Sequence, residues 1–256
     1  MSEGLSERIQ KYNDDGNHFT DDSIPSEKTL KDAIHVIKDY VISLKKGTLI
    51  IKDKMTVFDL KMIQKNIFSD APEPNESDKK KYISPDGGIW FLLIDGKEHP
   101  ILIIEDKKQG TNDLRFSDGK GKQGLGNAIE RFAKNVRACE MLFHEYSYFP
   151  YLLFASGCDF HPSETISHRI VVGNYGYPNH EITLTKDKTQ DELSNELDTI
   201  NRNIDVKKKL GNKCIVQTFV KSHRWNEMNH NSSSWTKNEI INICCKTIDL
   251  VIQELL

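Results

Sequence analysis

The sequence lacks any apolar run near the ~20 residues needed to cross a bilayer, so no membrane segment is expected. Its first residues, MSEGLSERIQK, mix charges and have no apolar core. They do not read as a secretory signal, and a cytoplasmic location is the expectation. Cysteine is sparse: Cys139, Cys158, Cys214, Cys244 and Cys245, odd in number and without CxxC spacing. That pattern excludes a disulfide framework or a cysteine-based zinc site as the organising device. Proline and glycine, eight and fifteen in 256 residues, nowhere gather into a linker. There is no internal repeat. A single domain over residues 1–256 is expected, with residues 1–24 as a mobile N-terminal arm or a short helix. Net charge is only −3, so bulk charge does not point to nucleic acid.

What is present suits a globular protein: 37% hydrophobic and 29% charged residues. Leu30, Ala33, Ile34, Ile37, Val41 and Leu44 recur at helical spacing and predict a helix from Ser26 to Lys46, with Ser26 as its cap. TLIIK reads as a short strand. A second helix is expected over residues 56–68, its start marked by Thr56 and Asp59. PYLLFA (150–155), RIVV (169–172) and CIVQTFV (214–220) read as strands. A long helix is expected from about Asn127 to His144, and a closing helix over residues 234–256. Helices and strands alternate, which predicts an α/β fold with a central mixed β-sheet flanked by helices.

The most informative stretch is residues 84–108, SPDGGIWFLLIDGKEHPILIIEDKK. It reads as two strands joined at Asp95-Gly96, a favoured hairpin turn. Residues two apart on a strand share a face, so Glu105 and Lys107 project together and Asp106 projects the other way. The hairpin brings Asp86 back towards that pair. Two carboxylates and a lysine at one point are what a Mg²⁺-dependent phosphodiesterase needs. The carboxylates are hard oxygen ligands, and the ammonium stabilises phosphate charge. The same residues also suit a strand end carrying solvated charges.

A basic segment follows. Between Lys107 and Arg137 there are eight basic residues and three acidic ones. Residues 110–126, GTNDLRFSDGKGKQGLG, have no apolar periodicity and are expected to be a DNA-contacting loop.

SPDGGI, IIEDKKQG, GNAIERFAKN and FPYLLF occur here in that order. The blocks resemble those of EcoRI-type restriction endonucleases over about residues 82–160, within the PD-(D/E)xK nuclease superfamily. The resemblance implies a restriction-endonuclease-like core, with Asp86, Glu105 and Lys107 as the catalytic residues. It implies Mg²⁺ held by Asp86, Glu105 and the backbone carbonyl of Asp106, and products bearing 5′-phosphates. It implies DNA contacts from Gln109, Leu125, Gly126, Asn127, Ala128 and Arg131, with Glu130 as a positioner at a dimer dyad. An Asn amide is the preferred bidentate partner of adenine in the major groove, and Ala128 is small enough to lie against a thymine methyl. Enzymes sharing GNAxER read an AATT core, so the expected partner is double-stranded DNA with a palindromic AATT-containing site, bound by a homodimer. A DNA methyltransferase that protects the host is implied in turn.

Two other functions remain compatible with the residues. One is a repair or junction-resolving nuclease of the same superfamily, which would not need GNAIER. The other is a sequence-specific DNA-binding protein without cleavage, which would not need Asp86, Glu105 and Lys107 together.

Overall fold

The computed structural model describes residues 19–67, 70–108, 118–120, 135–136, 138–139, 143, 149–160, 180–184, 214–221 and 234–256. Its organising element is the expected hairpin, strands β4 (Ile89–Ile94) and β5 (Lys97–Lys108). Asp95 and Gly96 take φ of +50° and +79°. Positive φ at both turn residues matches the right-handed twist of the flanking strands.

Over the paired span, Lys97–Ile103, β5 holds one residue more than β4. Trp90 pairs with Leu102 and Phe91 with Pro100, which leaves Ile101 as a β-bulge. Proline is tolerated there because a bulge breaks the ladder that would need its missing N–H. Ile101 and Leu102 consequently face the same side, and Ile103 begins the opposite one.

Around the hairpin six of the described strands form one sheet, in the order β1 (Thr48–Lys52), β4, β5, β6 (Phe149–Ser156), β8 (Cys214–Lys221) and β7 (His180–Leu184). β1 pairs antiparallel with β4. β6 and β8 continue the sheet from β5 in parallel, as does β7 at the edge. The sheet is therefore mixed, as the alternation of elements predicts. β2 (Met55–Thr56) and β3 (Tyr82–Ile83) form a separate two-stranded ribbon.

Each face of the sheet carries its own core. On one face, Trp90, Leu92, Leu102, Ile104, Leu152 and Phe154 meet helix α1 (Phe19–Ser43) and a C-terminal helix, Lys237–Leu255. On the other, Ile89, Phe91, Ile103, Tyr151 and Leu153 meet Val136, Cys139 and Phe143. Residues of helix α2 (Val57–Ile67) lie against that second core. The C-terminal helix is α3.

α2 starts as expected: the backbone N–H of Thr56 donates to Asp59 at 2.7 Å, and that of Asp59 donates to Thr56 Oγ1 at 3.2 Å. α1 does not. It begins at Phe19, so Ser26 lies inside the helix and the part of the arm from residue 19 on is helical. The strand β7 has no counterpart among the expected elements. The strand expected at 169–172 lies outside the described residues.

The C-terminal ends of β6 and β8 are fixed to α3 by one cluster. Trp235 Nε1 donates to the Ala155 carbonyl at 3.2 Å. Lys221, at the end of β8, donates to both oxygens of Glu239 at 2.6 and 2.7 Å. Glu239 also closes the capping box of α3 with Thr236. Burial pushes the Glu239 carboxyl up, but the bonds from Lys221 and Thr236 outweigh it and hold the carboxyl below its usual range. Its stabilising effect is thus present above its ordinary value of 4.5 and is lost as pH falls through the lower folded value. Glu239→Ala is expected to cost about 3 kcal/mol in urea unfolding at neutral pH, because it leaves a half-buried ammonium unpaired. The cost shrinks in acid.

Candidate active site

The site is built where the turn before β4 meets the end of β5. Gly87 N–H donates to the Ile104 carbonyl at 2.9 Å, and Trp90 Nε1 donates to the Gly87 carbonyl at 2.8 Å. These bonds press the Pro85–Gly88 turn onto β5. Gly87 has no room for a side chain, since a Cβ there would stand 2.6 Å from the Cβ of Ile104. Gly88 takes φ of +79°. The paired glycines of PDGGI therefore answer two different demands, close approach and a left-handed turn. Gly87→Ala should push the turn off β5 and lower stability by roughly 2 kcal/mol, read from denaturant unfolding.

The clamp brings Asp86 level with Asp106, whose backbone N–H donates to Asp86 Oδ2 at 3.0 Å. Lys107 Nζ lies 2.6 Å from Asp86 Oδ2 and 2.7 Å from Glu105 Oε1. It also donates to the Asp106 carbonyl oxygen at 3.2 Å. The three oxygens named from the sequence as metal ligands thus converge on one cation, here the lysine ammonium. Glu105 shares the face of Ile103, and the Asp106 side chain shares the opposite face with Ile104. A cleft of about 620 Å³ opens beside Asp86 and Lys107, walled on its far side by Leu30 and Lys31 of α1.

Glu105 is 1% exposed, and Asp86 is open to solvent. Burial pushes the Glu105 carboxyl up. Lys107 opposes this, and the neighbouring charge of Asp86 adds to it. Burial pulls Lys107 down, but its two carboxylates more than reverse that and leave it raised. Glu105 holds its proton more tightly because it is buried, and Lys107 does so because two negative charges face its one positive charge. The donor set is all oxygen and one positive charge short, which fits a divalent cation. Among the described residues no three acidic, His or Cys side chains cluster around a metal position. The third oxygen here is a backbone carbonyl.

Two further residues reach the buried carboxylate, and neither had a role in the sequence reading. Tyr151 of β6 donates its hydroxyl to Glu105 Oε2 at 3.1 Å. Asn135, from a helical segment on that face, places Nδ2 3.4 and 3.5 Å from the two Glu105 oxygens. The signal for Tyr151 was faint: a hydroxyl inside the otherwise apolar PYLLFA. Asn135 closes the GNAIERFAKN block.

Gln109, Leu125, Gly126, Asn127, Ala128, Glu130 and Arg131 lie outside the described residues, as does most of the 110–126 loop. Within that loop Asp118–Lys120 form a turn closed by an ion pair of 2.7 Å.

The sequence model of the family described as Restriction endonuclease EcoRI matches residues 51–255. The Type II restriction enzyme EcoRI of Escherichia coli is 38% identical over 87 residues, covering 30% of this chain and 31% of that protein. The chain thus spans about a third of the length of the curated relative it matches. The family match takes in the Pro85–Gly88 turn, the bulged hairpin, the converging oxygens and the closing helix. This chain belongs to the EcoRI restriction endonuclease family.

Proposed function

We propose that this protein is a type II restriction endonuclease, a site-specific deoxyribonuclease that uses Mg²⁺ to hydrolyse duplex DNA. The site proposed is palindromic and contains AATT, and the cut leaves 5′-phosphates. The observation that carries the reading is the meeting of Asp86 Oδ2, Glu105 Oε1 and the Asp106 carbonyl within 3.2 Å of one cation. Family membership adds that the surrounding sequence is of the kind that builds a restriction enzyme.

Those three oxygens would hold Mg²⁺. When bound, it supplies Lewis-acid activation of water and neutralises charge on the phosphate. The chain's own groups do the rest. Buried Glu105 offers a carboxylate whose partners fix its orientation. Asp86, exposed at the cleft, is within reach of a phosphate backbone. The Lys107 ammonium, freed from the carboxylates, donates to the attacked phosphate and follows the charge that develops there.

Reading of the site is assigned to Asn127, on adenine, with Ala128 beside a thymine methyl and Gln109, Leu125, Gly126 and Arg131 as further contacts. Glu130 positions these groups at the dyad. A palindrome calls for a two-fold protein, so the working form is a homodimer. A methyltransferase modifying the same site is the necessary companion, and the cytoplasm is where both would act. No helix among the described residues is long and apolar enough to cross a membrane.

Digestion of plasmids of known sequence tests this, with Mg²⁺ and with chelator. Discrete bands whose ends map to a palindrome with AATT are expected, only with Mg²⁺. The ends should accept label from polynucleotide kinase only after phosphatase treatment. Smearing or junction-dependent nicking would assign the fold to another nuclease activity. Specific binding without cutting would make it a DNA-binding protein.

A further inference from the structure

The geometry points to Tyr151 as a positioning residue: its hydroxyl occupies Glu105 Oε2 and so reserves Oε1 for the metal. The inference rests on the nuclease reading above and goes one layer behind its ligands.

Glu105 has two oxygens and almost no access to water, at 1% exposure. A buried carboxylate needs donors for both. Oε1 receives Lys107 at 2.7 Å, on the side where Asp86 and the Asp106 carbonyl converge. Oε2 receives the Tyr151 hydroxyl at 3.1 Å, on the interior side. Without that donor the carboxylate has no reason to keep one oxygen inward and the other towards the cation. Asn135 Nδ2 also approaches both Glu105 oxygens, at 3.4 and 3.5 Å, and so does not distinguish between them.

The position of Tyr151 makes a purely structural role unneeded. Its neighbours along that face of β6 are Phe149, Leu153 and Ala155, all apolar and buried. A phenylalanine would fill the same space there. The register places Tyr151 beside Ile103, two pairs before Glu105 meets Leu153. From that place a phenol reaches diagonally across the parallel strands to a carboxylate two residues further along.

Tyr151→Phe removes one hydroxyl and leaves the packing. Partners behind metal ligands typically contribute a factor of about 10–100 in metal affinity. The Mg²⁺ concentration for half-maximal cleavage should rise about tenfold or more. Saturating Mg²⁺ should recover most of the turnover. Melting temperature should fall by a few degrees, because Glu105 Oε2 loses a buried donor, while metal-free binding of specific DNA should match the parent. Calorimetric titration with Mn²⁺, which needs no cleavage, should show the same loss of affinity. A folded Tyr151→Phe protein with the parent's Mg²⁺ and Mn²⁺ titrations overturns the inference. If Tyr151→Phe does not fold, Asn135→Ala takes its place, with a smaller shift of the same sign expected and an unchanged titration decisive against it. A parent protein that binds Mn²⁺ but cuts no DNA overturns the nuclease reading instead, and the Mn²⁺ comparison still decides the role of Tyr151.

Discussion

Glu105→Gln is expected to fold, to bind specific DNA without metal as the parent does, and to lose cleavage by roughly a thousandfold or more, about 4 kcal/mol in barrier. The amide keeps the shape of the side chain but removes its negative charge. One of the three oxygens that meet at the Lys107 ammonium is then neutral, and the ligand set can no longer hold a divalent ion against water. Stability should not suffer at neutral pH. The Glu105 carboxyl is raised by burial, so its ionised form is the costly one within the fold. A group raised in this way takes stability away as pH climbs through its folded value. An uncharged isostere is exempt from that loss. Equal urea midpoints, a matching gel shift and no cut plasmid are the expected set of results. Retained cutting would sink the assignment of Glu105, and a failure to fold would show the carboxylate to be structural.

Lys107→Met separates the roles inside the trio. Cleavage should fall by roughly a hundred- to a thousandfold, the usual effect of removing a charged donor from a reacting phosphate or carbonyl. Divalent metal binding should move the opposite way. The ammonium stands 2.6, 2.7 and 3.2 Å from the three oxygens, at the point where a metal would sit. Any divalent ion entering the site must displace it. Methionine keeps the stem and drops the charge, so Mn²⁺ should bind several-fold more tightly by calorimetry while cutting is lost. Weaker Mn²⁺ binding would instead show that Lys107 assembles the ligand set. Glu105→Gln loses metal and cleavage together, and Lys107→Met parts them.

The convergence of Asp86, Glu105 and Lys107 was legible in the sequence because it depends only on local rules. A DG turn dictates a hairpin, and alternation along a strand dictates which side chains share a face. The apolar stripes of α1 and α3 were legible for the same reason: Leu30, Ala33, Ile37 and Val41 are buried, as are Ile240, Cys244, Ile248 and Val251. The features that escaped depend on contacts between distant segments. β7 is five residues, HEITL, and owes its place to pairing with β8. Tyr151 meets Glu105 only because two parallel strands, joined by a crossover of some forty residues, settle in one register. Nothing in PYLLFA fixes that register. The start of α1 at Phe19 escaped because the periodicity of its apolar face begins only at Leu30.

The bulge at Ile101 bears on how relatives of this site are to be found. Asp86 and Glu105 are nineteen residues apart in the sequence. One of those residues, Ile101, is absorbed without a partner. Removing it would restore regular pairing between Phe91–Pro100 and Trp90–Leu102 and leave Glu105 and Lys107 facing as they do. A chain with a gap of eighteen can thus carry the same site, whereas a deletion elsewhere in β5 would turn Glu105 away from Asp86 unless another irregularity restored the phase. Searches that demand a fixed interval between PD and E-x-K would discard true members. An alignment gap at this one position is neutral to the chemistry.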